Sequence, residues 1–217
     1  MYPQRQEVTL YDNVTPVAVT SSTDATPIVV TATAHGLKTG QRVLIYGHTT
    51  NIAANGIFIV GAVTSNTFGL TDEVTGANVA GSGAGAGSSG YCMLAPQTLN
   101  CVDFKTIDLF VSTSGSATLT LALAVSMGAA ESKQTSPRKS YPNMGATVSV
   151  SNPYSFAQLT DLNNGTEITG ATGIVLTGTD VEDQYEANIN LARYATVIPI
   201  AWTQGAITIK AVLRTSI

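Results

Sequence analysis

Charge is scarce in this sequence. Of 217 residues only 11% are Asp, Glu, Lys or Arg, well below the roughly one quarter of an ordinary soluble domain. The deficit does not mark disorder, because 44% of the residues are hydrophobic and disordered chains combine low hydrophobicity with high net charge. It fits a protein whose surface is partly covered by neighbours. A formal net charge of −4 and a pI near 5.0 argue against a nucleic-acid partner, which would need a basic face to neutralise phosphates.

Reactive side chains are as sparse as charge: the chain has two His, two Cys and one Trp. A hydrolytic triad needs a histidine, and His35 and His48 come with no G-x-S-x-G elbow, H-E-x-x-H pair or G-x-x-x-x-G-K loop. Cys92 and Cys101 are too few for a disulfide scaffold and have no His at ligand spacing, so they read as buried free thiols. The sequence thus predicts a non-enzyme, with no catalytic residue, no cofactor and no metal. Long apolar runs are missing too. Leu109–Ala130 is interrupted by Ser-Gly-Ser and alternates in polarity, so it is not a membrane helix. The start, Met1-Tyr2-Pro3-Gln4-Arg5-Gln6-Glu7, lacks the apolar stretch of a secretory signal. Cytoplasmic synthesis and no membrane partner are the expectation.

What the chain does have is β-pattern. Four short runs, Pro27–Ala34, Arg42–Tyr46, Gly56–Val63 and Thr67–Leu70, are rich in Val, Ile, Thr and Phe and separated by Gly or Asn-Gly. Gly36 and Gly40 bracket Leu37-Lys38-Thr39, which allows positive φ on both sides of a tight reversal. Asn55-Gly56 is the pair that favours a two-residue hairpin turn. Four strands so close together must be short, and the expected product is a small barrel.

The same stretch carries a resemblance. His35-Gly36-Leu37, Thr39-Gly40, Val43 to Gly47, Asn55-Gly56, Phe58, Val60 and Asn66-Thr67-Phe68-Gly69-Leu70-Thr71 resemble a small β-module that recurs in tailed-bacteriophage virion proteins. They are also similar to a β-barrel half-domain of ubiquitin-activating enzymes. The match continues through Gly76, Gly81, Gly83 and Gly90, and so spans residues 25–95, under half of the chain. Gln41 stands where that pattern more often has Asp or Asn, and His48 where it has Val; neither change touches a turn glycine. The resemblance implies a virion context and nothing enzymatic, and a shared fold says nothing about ubiquitin chemistry.

Around the module the chain reads as follows. Residues 1–24 form either an N-terminal arm that adds a strand to a neighbouring subunit or a first strand of this chain. As an arm it would be dispensable for folding. The run from Gly81 to Gly90 contains a formal G-x-G-x-x-G at Gly85–Gly90, but no helix can start after it, so it is a connection and not a dinucleotide site. Residues 91–102 mark the domain boundary. From 101 to 217 the alternation predicts an antiparallel β-sandwich of jelly-roll type, made of short strands. In it Ser114-Gly115 and Gln204-Gly205 are read as hairpin turns. Val148 and Val150, then Tyr154 and Phe156, are read as two strands, and Asn163-Asn164-Gly165 as a turn. Pro199 places its strand at an edge or at a bulge. The segment Glu131–Pro142 is a solvated basic loop, and Asp180, Glu182, Asp183 and Glu186 form an acidic turn without the spacing of a calcium loop.

The expected function is that of a structural component of a tailed-phage virion, with capsid decoration (cement) first and a tail or connector adaptor for fibre attachment second. Decoration is favoured because no coiled-coil heptads and no β-helix repeat are present. Its partners would be the major capsid protein or tail and connector proteins, as a homo-oligomer within the particle, after synthesis in the bacterial host cytoplasm. Two other classes compete: a glycan-binding module that stacks sugars on Trp202 or tyrosines, and a hydrolase built on the acidic cluster, in which Asp183 would be essential.

Overall fold

Every regular element among the described residues is a β-strand, apart from one turn of 3-10 helix at Ile52–Ala54. The structure, a computed structural model, describes residues 5–73, 75–86, 90–126, 154–169, 172–189 and 192–215. In chain order the strands are β1 (Arg5–Val14), β2 (Val17–Ala18), β3 (Ser21–Ser22), β4 (Val29–Thr31), β5 (Arg42–Tyr46), β6 (Gly56–Val63), β7 (Thr67–Thr71), β8 (Gly85–Ala86) and β9 (Tyr91–Leu94). They continue as β10 (Leu99–Asn100), β11 (Thr106–Ser126), β12 (Tyr154–Phe156), β13 (Leu159–Asp161), β14 (Glu167–Ile168), β15 (Ile174–Thr179), β16 (Glu182–Asn188) and β17 (Tyr194–Arg214). The chain divides into two compact units, one built from residues 16–95 and one from the described residues before and after it. The protein is therefore all-β, as the strand pattern of its sequence predicts. Val148 and Val150 and the basic segment Glu131–Pro142 lie outside the described residues.

The first unit is a sheet in the order β2-β9-β5-β6-β7-β4-β3-β8. β2 at one end and β3, one strand in from the other, are one piece of chain. Between β2 and β3 lie only Val19 and Thr20, and their amides point to opposite neighbours: Val19 N–H donates to Gly90 O at 2.9 Å and Thr20 N–H to Thr31 O at 2.8 Å. Residues 17–22 thereby pair with both sides of the curled sheet, with β9 on one side and with β4 and β8 on the other. Val19, Ile28, Val30, Val43, Ile45, Phe58, Phe68 and Leu70 fill the interior.

The turn at residues 36–40 forms as its glycines predict, with φ of 66° at Gly36 and 85° at Gly40. Asn55-Gly56 does not act as expected. A two-residue hairpin turn needs positive φ at both central residues, and Asn55 sits at −80°, in extended conformation after the 3-10 turn. Residues 47–55 instead form a longer loop that the Asn55 side chain clamps. Its Oδ1 accepts from His48 N–H at 2.9 Å and its Nδ2 donates to His48 O at 2.7 Å.

In the second unit the sheet order is β1-β17-β11-β16-β13-β14, with β10 on β17 and both β12 and β15 on β11. The sandwich domain is antiparallel as expected, but two of its predicted turns are not turns. Ser114-Gly115 and Gln204-Gly205 lie inside β11 and β17, each 21 residues long, and the two strands pair from Thr106↔Arg214 to Ser126↔Tyr194. Both strands bend together instead of reversing. The register shifts between Ser114 and Thr118, where β11 carries the extra residues opposite Gly205. Gly205 has φ of 90°, and a Cβ there would stand 2.9 Å from Ala117 Cα, so only glycine lets the bulge fold over it. On the other flank of β11, β15 and β16 follow the same path and kink at Asp180, whose φ is 51°. Strands that pass between layers through a bulge are how such a sandwich turns its corners.

The bend keeps one face buried along its whole length. Ile107, Leu109 and Val111 precede it, and Leu119, Leu121 and Leu123 follow it with the same odd parity. Pro199 sits at a register shift on β17, opposite Leu121, where its missing N–H costs no ladder bond. Residues 163–165 turn the chain from β13 to β14, with Gly165 N–H donating to Asp161 O at 2.8 Å.

Residues 1–24 are divided between the units. β1 pairs with β17 along residues 5–14, while residues 17–22 close the barrel. Tyr11 and Val19 are fully buried, so of the two readings of residues 1–24 the structure has a first strand of this chain and not a dispensable arm: both cores use this segment. At the other boundary, β9 belongs to the barrel and β10 to the second sheet, which puts the crossing at residues 95–98.

Candidate functional site

His48 is a buried polar residue of the barrel. Its ring Nε2 lies 2.7 Å from Ser22 Oγ, and Asn51 Nδ2 donates to that same Oγ at 3.0 Å. The hydroxyl accepts from Asn51 and keeps its proton and a second lone pair, so it bonds His48 Nε2 as donor or as acceptor according to the tautomer of the ring. Asn51 also donates to Thr23 O at 2.9 Å and accepts from Ser82 N–H at 3.1 Å. Ser22, His48 and Asn51 are all buried. A serine beside a histidine is the start of a nucleophile, but this pair is enclosed. Gly85 of β8 lies against the ring so closely that a Cβ there would overlap Cε1. The arrangement ties together β3, the clamped loop and β8; it is a structural network.

Burial lowers the pKa of His48 below its ordinary value of 6.5, because the imidazolium would lose its hydration. The folded protein therefore binds this proton less readily than the unfolded chain does. Its contribution is fully present above pH 6.5 and is lost as pH falls from there towards the lower folded value. We expect the melting temperature to drop between pH 7.5 and 5, before most carboxylates titrate, and the drop to be smaller in His48→Gln. Equal slopes for the two proteins would contradict the assignment.

His35 bonds the backbone of the turn it opens: its Nδ1 accepts from Leu37 N–H at 3.0 Å, and its ring meets Phe68 edge-on with centroids 5.0 Å apart. Cys92 and Cys101 are free and buried, and burial pushes both thiols up to about 12, far from the range of a reactive thiolate. Gly90 leads directly into strand β9 and not into a helix, so Gly85–Gly90 lacks the helix N-terminus a pyrophosphate would need.

The acidic residues do not converge. Asp180 Oδ1 accepts from Gly115 N–H at 2.8 Å and so fastens the kink between two strands. Asp183 accepts from Asn163 Nδ2 at 2.7 Å and from the Tyr185 hydroxyl at 3.1 Å. Burial, and then the charge of Asp183, raise the Tyr185 pKa. No group of three or more His, Cys, Asp or Glu able to hold a metal occurs among the described residues.

Trp202 is no stacking platform: it is 1% exposed. Its Nε1–H donates to the carbonyls of Gln204 and Gly205 at 3.1 and 3.0 Å, and its ring meets Tyr11 edge-on at 6.3 Å. The indole therefore satisfies the carbonyls left free at the bend. Tyr11, Tyr46 and Tyr185 are buried as well. Among the described residues the exposed aromatic is Phe110, at 39%, on β11 between Asp108 and Ser112. The signal was already in the sequence, as an aromatic at the polar phase of an alternating strand.

No protein-family model matches the chain, and no curated protein does. Among solved structures, the SPBc2 prophage-derived protein YomS aligns with 99% of this chain and 96% of its own, at a TM-score of 0.40 and 8% identity. At that distance it transfers no role. Among the described residues no helix is long and apolar enough to cross a membrane.

Proposed function

We propose that the chain is a structural component of a tailed-phage virion, and within it a capsid decoration protein. One observation carries the reading. The residues by which the first unit resembles the virion module are spent on building the barrel: Gly36 and Gly40 make its turn, His35 caps that turn, and Asn55 clamps the loop before β6. None of them is left to hold a substrate. A hydrolytic triad would require a histidine, and both His35 and His48 are engaged within the barrel, while the acidic residues Asp180 and Asp183 bond to neighbouring segments of the second unit. A sequence with 11% charged residues also suits a protein that packs against the major capsid protein and its own copies.

Mass spectrometry of purified virions tests the reading. The chain should be found in particles that survive a high-salt wash. Its recovery only from the lysate would remove it from the virion.

A further inference from the structure

We infer that the outward face of the second unit carries a binding site for a neutral oligosaccharide, centred on Phe110. Three adjacent strands build it. β11 sets Phe110 opposite Gln184 of β16 and Lys210 of β17, and Ser112 opposite Glu182. Together they border an open groove of about 370 Å³, within the range of roughly 300–1,000 Å³ of small-molecule sites.

The side chains around the ring are uncommitted. Ser112, Glu182, Gln184 and Lys210 make no side-chain hydrogen bond or ion pair among the described residues. Asp183 next to them is already occupied by Asn163 and Tyr185. The groove thus presents a partly exposed aromatic ring and, around it, a hydroxyl, an amide, a carboxylate and an ammonium. A hexose ring has the matching shape, with a C–H face that packs on an aromatic ring and a rim of hydroxyls that both donate and accept.

Other ligand classes fit less well. Lys210 is outweighed by Glu182 and Asp183, which disfavours nucleic acid and acidic sugars alike. A single exposed ring is far from the apolar patch of several hundred Å² that marks a protein interface. The carboxylates do not gather into a metal site. The site is independent of where the protein sits on a particle, although display in many copies would multiply weak sugar contacts into firm attachment.

The test uses the full chain, titrated by NMR or calorimetry with neutral trisaccharides of glucose, galactose, mannose and N-acetylglucosamine, and with sialyllactose. At least one neutral trisaccharide should bind and shift the amides of residues 110, 112, 184 and 210. Phe110→Ala should weaken it about tenfold or more, Gln184→Ala severalfold, and Phe110→Trp should retain it. Phe110 is 39% exposed, so these variants should keep a cooperative thermal transition, with at most a modest shift in melting temperature for Phe110→Ala. The proposal is overturned if no neutral trisaccharide binds, if Phe110→Ala binds equally well, or if sialyllactose binds best. It is also overturned if Phe110→Ala abolishes self-association of a chain that ignores sugars, since the face would then be a protein interface.

Discussion

Removing residues 1–20 should leave a chain that no longer folds cooperatively. The deletion takes out β1, the ten-residue partner of β17, and β2, which closes the barrel against β9. It also removes Leu10, Tyr11 and Val19 from the two cores, at roughly 1.5–3 kcal/mol for each large apolar side chain. The Tyr11 hydroxyl, which donates to Val197 O at 2.9 Å, goes with them and leaves that buried carbonyl bare, at about 1–3 kcal/mol. The sum is comparable with the whole stability of a domain, about 5–15 kcal/mol. Circular dichroism should show no sharp thermal transition for the truncated chain. Melting within a few degrees of the full chain would mean that the segment is a dispensable arm after all. For the same reason, attachment to a particle has to be mapped with surface substitutions and not with this deletion.

Arg214→Ala should cost about 3 kcal/mol, near the lower end of the range for breaking a buried ion pair. Asp108 is 1% exposed and its Oδ2 contacts the Arg214 guanidinium. Its Oδ1 is buried with no hydrogen-bond partner among the described residues, so without Arg214 the carboxylate has nothing to offset its lost hydration. The arginine is about one third exposed, and solvent screening keeps the effect towards that lower end. The melting temperature should fall by roughly 6–12 °C for a domain of this size. The double variant Asp108→Asn, Arg214→Ala should recover a good part of the loss, because the buried charge is gone. An unchanged melting temperature for Arg214→Ala, or strict additivity of the two changes, would show that the pair does not couple.

Local pattern made much of this fold legible. β5 and β6 begin and end where their apolar runs do, and the odd-numbered residues of β11 are buried on both sides of the bend. What pattern could not reveal was whether a glycine reverses a strand or bends it. Ser114-Gly115 and Gln204-Gly205 read as turns because each interrupts an alternating run. The bend appears only when the two interruptions are seen to face each other across a ladder, with Trp202 satisfying the carbonyls between them. Asn55 misled for a related reason: its side chain bonds to His48 from within a loop, a partner that sequence proximity does not name.

The candidate site was hidden by the same limit. Phe110 and Lys210 are separated by a hundred positions and become neighbours only through the pairing of β11 with β17. Trp202 attracted attention as the one tryptophan, and its burial follows from its place at the bend. Asp108 also gave no warning, since a single acid at an outward position of a strand reads as solvated until the strand beside it supplies Arg214.

The most direct test of the structural role is the number of copies per particle. Quantitative densitometry or isotope-labelled peptide counting on purified virions should find this chain in numbers close to those of the major shell protein, on the order of hundreds, as expected of a decoration protein spread over a symmetric shell. About a dozen copies or fewer would contradict decoration and place the chain at the tail or connector.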